Sequence, residues 1–235
     1  MKGVLGESDS VSLRVLEGSK VMRDFQEKYA KAMTGTTTVG VVCTDGVVLG
    51  TDTRVTMGLF VAHKKGKKVF AIDDHLAMTI AGGVADAQSV VEVLKANAKL
   101  YRLEMNCPMP VSAAARLASY LLFSWRMAPL LLQAIIGGHD ETGPHIFSVD
   151  LFGSIVEERY VSTGSGSPIA YGVLESEYRE GISVKEAAPI VVKAVGSAMK
   201  RDAASGDSFD VAIVTRDGYA ELSEEEKRLI LKGEA

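Results

Sequence analysis

The sequence predicts an α+β fold in which antiparallel sheets carry helices on their outer faces. Three observations lead there. Strand-like segments come as hairpins, helical segments come in adjacent pairs, and the chain alternates strands, two helices, strands, two helices, strands. A doubly wound parallel sheet would instead place a crossover helix between successive strands.

Residues 1–33 are polar and mixed, with a weakly amphipathic run from Val21 to Met33. They read as a separable leader, too short to fold alone. From Thr36 the pattern becomes that of strands. Thr36–Thr44 and Val47–Thr53 are rich in β-branched residues and flank Asp45-Gly46, a hairpin signal. Lys68–Ile72 and Leu76–Ala81 form a second pair around Asp73-Asp74-His75, closed by Gly82-Gly83.

Val84–Glu104 sets Val84, Val91, Leu94, Ala98 and Tyr101 at helical spacing. Val111–Met127 is rich in Ala and Leu and ends before Pro129. Strands follow at Leu131–Gly137, His145–Asp150 and Ser154–Ser162, then a Gly/Ser turn over 163–168. Ile169–Tyr178 is a short helix. The next opens on the capping box of Ser183 and Glu186 and runs to about Ala204, with Pro189 predicting a kink or a later start. Phe209–Thr215 and Tyr219–Leu222 close a hairpin around Asp217-Gly218, and Ser223 with Glu226 caps a terminal helix.

With 47% hydrophobic and 24% charged residues over 235 positions, the chain can bury a large core. A net charge of −4 gives no basic field for nucleic acid or a membrane surface. Residues 1–19 lack the apolar core of a signal peptide, and no apolar run spans a bilayer. Cys43 and Cys107 are too few for a disulfide framework, which points to a reducing, cytoplasmic setting. His63, His75, His139 and His145 show no metal spacing, so neither metal nor cofactor is expected. The P-loop and GxSxG patterns are absent, and the Gly/Ser segment reads as a tight turn rather than a phosphate cradle.

A run of threonines at a strand start is ordinarily strand composition. Its company changes that reading: Thr36-Thr-Thr-Val-Gly40 after Gly35, Gly50-Thr-Asp-Thr-Arg54, Lys64-Lys-Gly-Lys-Lys68, Met78-Thr-Ile-Ala-Gly82, Ser162-Thr-Gly-Ser-Gly-Ser-Pro168, Tyr171-Gly-Val-Leu-Glu175 and Arg201-Asp-Ala-Ala-Ser-Gly206. In order and spacing, over residues 36 to about 222, these pieces resemble the β subunits of proteasomes, most closely the archaeal ones. The resemblance implies a four-layer αββα sandwich, the N-terminal nucleophile hydrolase fold. It divides the chain into a propeptide, 1–35, and a catalytic domain, 36–235.

It also implies a threonine endopeptidase that first cuts itself between Gly35 and Thr36. The freed Thr36 would carry a hydroxyl and an α-amine of reference pKa about 7.7–8.0, so one residue supplies both nucleophile and base. By resemblance, Lys68 sits beside the hydroxyl, Asp52 holds Lys68 charged, and the Gly82 amide polarises the scissile carbonyl. Ser165, Asp202 and Ser205 surround the amine. Thr56 would pair with substrate backbone, while Val55, Ile80 and Val84 line a pocket for hydrophobic residues. Asp150 would reach towards a neighbouring subunit. The implied partners are proteasome α subunits and other β subunits in stacked heptameric rings, an unfolded polypeptide substrate and a regulatory ATPase.

Three other readings stay open at this level: a β subunit that only builds the ring, a binding or assembly module, and another N-terminal nucleophile hydrolase such as an amidase. The first predicts loss of the threonine, the lysine or the acid, and all three are present. The lysine and Ser-Gly-Ser segments favour the proteasome type or its simpler bacterial relative over an amidase.

Overall fold

The structure is a computed structural model in which residues 35–232 are described. The leader, including the run from Val21 to Met33, lies outside the described residues. Twelve strands are present among the described residues: β1 (Thr38–Val42), β2 (Gly46–Asp52), β3 (Val55–Met57), β4 (Phe60–His63), β5 (Val69–Asp73), β6 (Leu76–Gly82), β7 (Leu132–Asp140), β8 (Gly143–Val149), β9 (Ile155–Glu158), β10 (Tyr160–Thr163), β11 (Phe209–Thr215) and β12 (Gly218–Glu221). The helices are α1 (Val84–Met105), α2 (Val111–Ser124), α3 (Ser167–Glu177), α4 (Val184–Met199) and α5 (Glu224–Lys232).

The strands form two five-stranded antiparallel sheets, ordered β10-β1-β2-β11-β12 and β5-β6-β7-β8-β9, with β3 and β4 as a separate hairpin. Helices α3 and α4 cover the first sheet, and α1 and α2 cover the second. Three apolar layers result. Val39, Val41, Val48 and Val211 meet Leu174, Val191 and Val195 under the first helix pair. Met78, Ile80, Ala134 and Ile136 meet Leu94, Ala98, Val111 and Leu122 under the second. Val47, Leu49, Ile135, Ile146, Val161 and Val214 fill the space between the sheets. This is the expected αββα sandwich. It explains why β2 and β6 do not alternate apolar with polar residues: every position is buried, because each strand has packing on both faces.

Both DG hairpins form where the sequence places them, with Val42 opposite Val47 and Thr215 opposite Gly218. The capping box of Ser183 and Glu186 is closed in both directions, and α4 starts at Val184 with Pro189 inside it. The second capping signal also forms: the Ser223 hydroxyl accepts from the Glu226 amide at 3.2 Å, and the Glu226 carboxylate accepts from the Ser223 amide at 2.7 Å.

Three expectations are corrected, and one strand is not legible in the sequence. Ser154–Ser162 is not one strand. It breaks at Arg159, where the chain crosses from the second sheet (β9 on β8) to the first (β10 on β1). Apolar, β-branched and aromatic residues lie on both sides of Arg159, and no Gly or Pro marks the crossover. Helix α2 stops at Ser124 rather than Met127, its end tightened by Trp125 donating to Leu122 and Phe123 carbonyls. Helix α4 stops at Met199 rather than near Ala204. Arg201 and Asp202 both donate to the Ala198 carbonyl, so residues 200–208 are free to turn back towards β1. Finally, β4 falls in a stretch assigned no element from sequence, because Met57, Leu59 and Phe60 are apolar yet exposed.

Cys43 is 4% exposed, and burial pushes its thiol up to about 12, with Asp45 and Glu186 adding to the rise. Because the thiolate is the reactive species, native Cys43 should resist an aromatic disulfide reagent at pH 8 while half-buried Cys107 reacts. Two fast equivalents of thiol titrated without denaturant would contradict this packing.

Candidate active site

The site sits where the start of β1 meets the end of β2, the segment leading into β5, and two loops. Thr36 and Thr37 immediately precede β1, and β1 is held between β2 and β10. The Thr36 carbonyl accepts from the Gly166 amide at 3.3 Å, and the Thr37 carbonyl from the Asp52 amide at 3.1 Å. Gly164 has φ +88°, and a Cβ there would lie 2.1 Å from the Thr36 carbonyl oxygen. The turn after β10 can therefore press against Thr36 only as glycine.

Asp52 ends β2 with 0% exposure. A carboxylate so placed must be fully hydrogen-bonded. Its Oδ1 accepts from the Thr37 amide at 2.9 Å and from Lys68 Nζ at 2.8 Å. Its Oδ2 accepts from the amides of Arg54 at 3.1 Å and Gly206 at 3.0 Å. Lys68, 5% exposed, donates a further hydrogen bond to Thr36 Oγ1 at 3.0 Å. Burial pushes the Lys68 ammonium below its ordinary range, and the Asp52 charge and hydrogen bond oppose that shift. Thr36 Oγ1 in turn donates to the Gly35 carbonyl at 2.7 Å.

The remaining polar groups form a second chain. The Thr36 amide donates to Ser165 Oγ at 3.2 Å, and Ser165 Oγ donates to Asp202 Oδ2 at 2.6 Å. Ser205 Oγ donates to the same oxygen at 2.6 Å, and Thr37 Oγ1 lies 2.7 Å from Ser205 Oγ. The loop that α4 leaves behind thus delivers Asp202 and Ser205 to the back of Thr36.

A cleft of about 610 Å³ opens beside Thr36, lined by Val55, Ile80, Gly82, Val84, Phe70 and Gln88 together with Lys64, Lys65 and Arg54. Three of the four predicted substrate-binding residues line it. The fourth, Thr56, is buried, and its hydroxyl accepts from the Gly35 amide at 3.2 Å. Asp150 is occupied locally, its Oδ1 accepting from the amides of Phe152 and Ser154 in the turn before β9.

The sequence profile described as "Proteasome subunit" matches residues 32–214. This chain belongs to the proteasome subunit family. It is 50% identical over 205 residues to the proteasome subunit beta of Ferroglobus placidus, covering 87% of this chain and 98% of the relative. It is 50% identical over 190 residues to that of Thermoplasma acidophilum, covering 80% and 90%. It is 44% identical over 202 residues to proteasome subunit beta 2 of Nitrosopumilus maritimus, covering 86% and 96%.

In this proteasome-family chain, all seven residues predicted as catalytic lie around Thr36 or line its cleft. Sequence reasoning missed four neighbours. Thr37 joins Asp52 to Ser205, but it reads as one more strand threonine. Arg54 bonds Asp207 Oδ2 at 2.8 Å and the Ala203 carbonyl at 2.9 Å, holding the 203–207 loop, yet it reads as a surface charge. Phe70 and Gln88 line the cleft at strand and helix positions whose facing only the fold decides. No group of three or more potential metal ligands occurs among the described residues.

Replacing Asp52 by Asn leaves Lys68 buried beside a neutral amide. Breaking a buried pair from one side costs about 3 kcal/mol or more. In a Thr36→Ala background, Asp52→Asn should therefore lower the denaturant midpoint clearly, and an unchanged midpoint would contradict the pairing. The pH sign follows from the lowered Lys68 value. The unfolded chain holds that proton more tightly, so this group's contribution to stability falls as pH drops through the native value and recovers towards 10.5.

Proposed function

We propose that this chain is the precursor of a threonine endopeptidase of the 20S proteasome core, with Thr36 as nucleophile and residues 1–35 as a propeptide. One observation carries the reading: Thr36 Oγ1 lies 3.0 Å from the Lys68 ammonium and 2.7 Å from the carbonyl oxygen of Gly35. A hydroxyl is a weak nucleophile, and an ammonium beside it stabilises the alkoxide that develops as it loses its proton.

In the first step Thr36 Oγ1 bonds to the Gly35 carbonyl carbon. The Gly35–Thr36 C–N bond breaks, and the Thr36 nitrogen leaves as an amine carrying the proton that the hydroxyl gives up. Water then hydrolyses the ester, giving a Gly35 carboxylate and a free Thr36 α-amine. In the processed chain that amine is the general base: it accepts the hydroxyl proton as Oγ1 attacks a substrate peptide, then returns it to the leaving amine. Ser165, Asp202 and Ser205 hold the amine and relay its proton. The Gly82 amide polarises the scissile carbonyl.

Val55, Ile80, Val84 and Phe70 in the cleft lining favour an apolar residue before the cut, and the Lys64, Lys65 and Arg54 side chains that also line it disfavour Lys and Arg. Family membership and the names of the relatives support assembly into a proteasome particle, which on this proposal is built of stacked heptameric rings of α and β subunits. On this proposal the particle is cytoplasmic and an ATPase feeds it with unfolded chains.

The test is hydrolysis of fluorogenic peptides by the assembled particle. Peptides ending in Leu or Tyr should be cut at least ~10-fold faster, as kcat/KM, than one ending in Arg, with Glu between. Thr36→Ala should abolish all of it. Faster cleavage after Arg, or full activity of Thr36→Ala, would overturn the proposal.

A further inference from the structure

We infer that the Thr56 side-chain hydroxyl is a positioning residue for self-cleavage, holding Gly35 so that its carbonyl meets Thr36 Oγ1. This rests on the proposed cleavage at Gly35–Thr36 and adds a group that the cleavage chemistry itself does not require.

Thr56 sits in β3, in the hairpin outside the two main sheets, and is only 4% exposed. Its Oγ1 accepts the Gly35 amide at 3.2 Å in a buried contact. On the other side, a Cβ on Gly35 would fall 1.6 Å from Ala204 Cβ and 2.8 Å from Ala204 Cα. Glycine 35 is thus gripped between a hydroxyl from β3 and the backbone wall of the loop that carries Asp202 and Ser205. Its carbonyl oxygen is fixed by a third contact, from Thr36 Oγ1 at 2.7 Å.

The amide and the carbonyl of one residue are joined through a single Cα. With Thr36 held on one side by the Gly166 amide and the Gly35 amide anchored on the other, both ends of the segment that carries the carbonyl are fixed, which limits its turning away from the hydroxyl. Intramolecular attack depends steeply on such alignment, and a small misplacement of the reacting group costs rate without changing its chemistry. Thr56 gives up no proton to the reaction and touches neither scissile atom. Its effect is on geometry.

Two variants separate the hydrogen bond from the packing. Thr56→Val keeps the shape and loses the acceptor, whereas Thr56→Ser keeps the acceptor and loses a methyl group. The full-length precursor is expressed, and its conversion to the Thr36–Ala235 mass is followed over time, with each variant's fold checked by a thermal melt in the Thr36→Ala background. A lost hydrogen bond of ordinary strength corresponds to about a 10-fold slowing. Thr56→Val should convert about 10-fold more slowly than wild type and Thr56→Ser within about 2-fold. If Thr56→Val does not fold, Thr56→Cys, a weaker acceptor of similar size, should be slowed while Thr56→Ser is not.

Wild-type conversion by Thr56→Val or Thr56→Cys would overturn the inference and leave the cleavage reading intact. So would Thr56→Ser as slow as Thr56→Val, because the loss would then be packing. A wild-type chain that never converts would overturn both.

Discussion

The buried carboxylate of Asp52 is the constraint around which the rest of the site is arranged. A fully desolvated charge is tolerated only when its oxygens are saturated and a counter-charge is near. Four donors meet it, from Thr37 just ahead of β1, from Arg54 just beyond its own strand, from the 203–207 loop and from the lysine ahead of β5. Those donors belong to four separate stretches of chain. Satisfying one carboxylate therefore docks the threonine segment, the lysine and the C-terminal loop against one another. Lys68 is pinned as a consequence, and its remaining donor capacity points at Thr36.

The sandwich supplies the stiffness this requires. Strands β1 and β2 lie inside a sheet that is packed on one face by α4 and on the other by the second sheet. A reacting group carried on such strands has little freedom to drift. The loops that complete the site are held just as tightly. Gly164 presses on the Thr36 carbonyl, and Arg54 ties down the loop that carries Ser205 through Asp207 and the Ala203 carbonyl. Burial around Lys68 weakens its hold on its proton, while Asp52 counters this. The Asp52 carboxylate, 2.8 Å from Lys68 Nζ, is the group that favours the charged form beside the hydroxyl.

Much of this was legible before the fold was known, for physical reasons that can be named. Asp45-Gly46 and Asp217-Gly218 specify tight hairpins locally, and two Ser/Glu capping boxes specify helix starts locally, so all four appear where read. The layer order followed from helices arriving in pairs. What failed was non-local. The crossover at Arg159 changes sheets without a Gly, Pro or turn dipeptide, so no residue marks it. The end of α4 is set by what residues 200–208 bind, not by helix propensity. At the site, Thr36, Asp52 and Lys68 could be singled out by family resemblance, but Thr37, Arg54, Phe70 and Gln88 acquire their positions only from strand register and helix rotation. Thr56 is expected to pair with a substrate backbone, and the fold adds a side-chain contact that the sequence does not reveal, to the chain's own Gly35 amide.

The central claim is that the folded chain cuts itself at Gly35–Thr36 using the hydroxyl that Asp52 and Lys68 hold in place. The most direct test is the intact mass of the chain after co-expression with a proteasome α subunit. The account predicts the mass of Thr36–Ala235 for the wild-type chain and the full Met1–Ala235 mass for Thr36→Ala. An assembled particle whose wild-type chain keeps its full mass would contradict it, because the nucleophile would never gain the amine it needs.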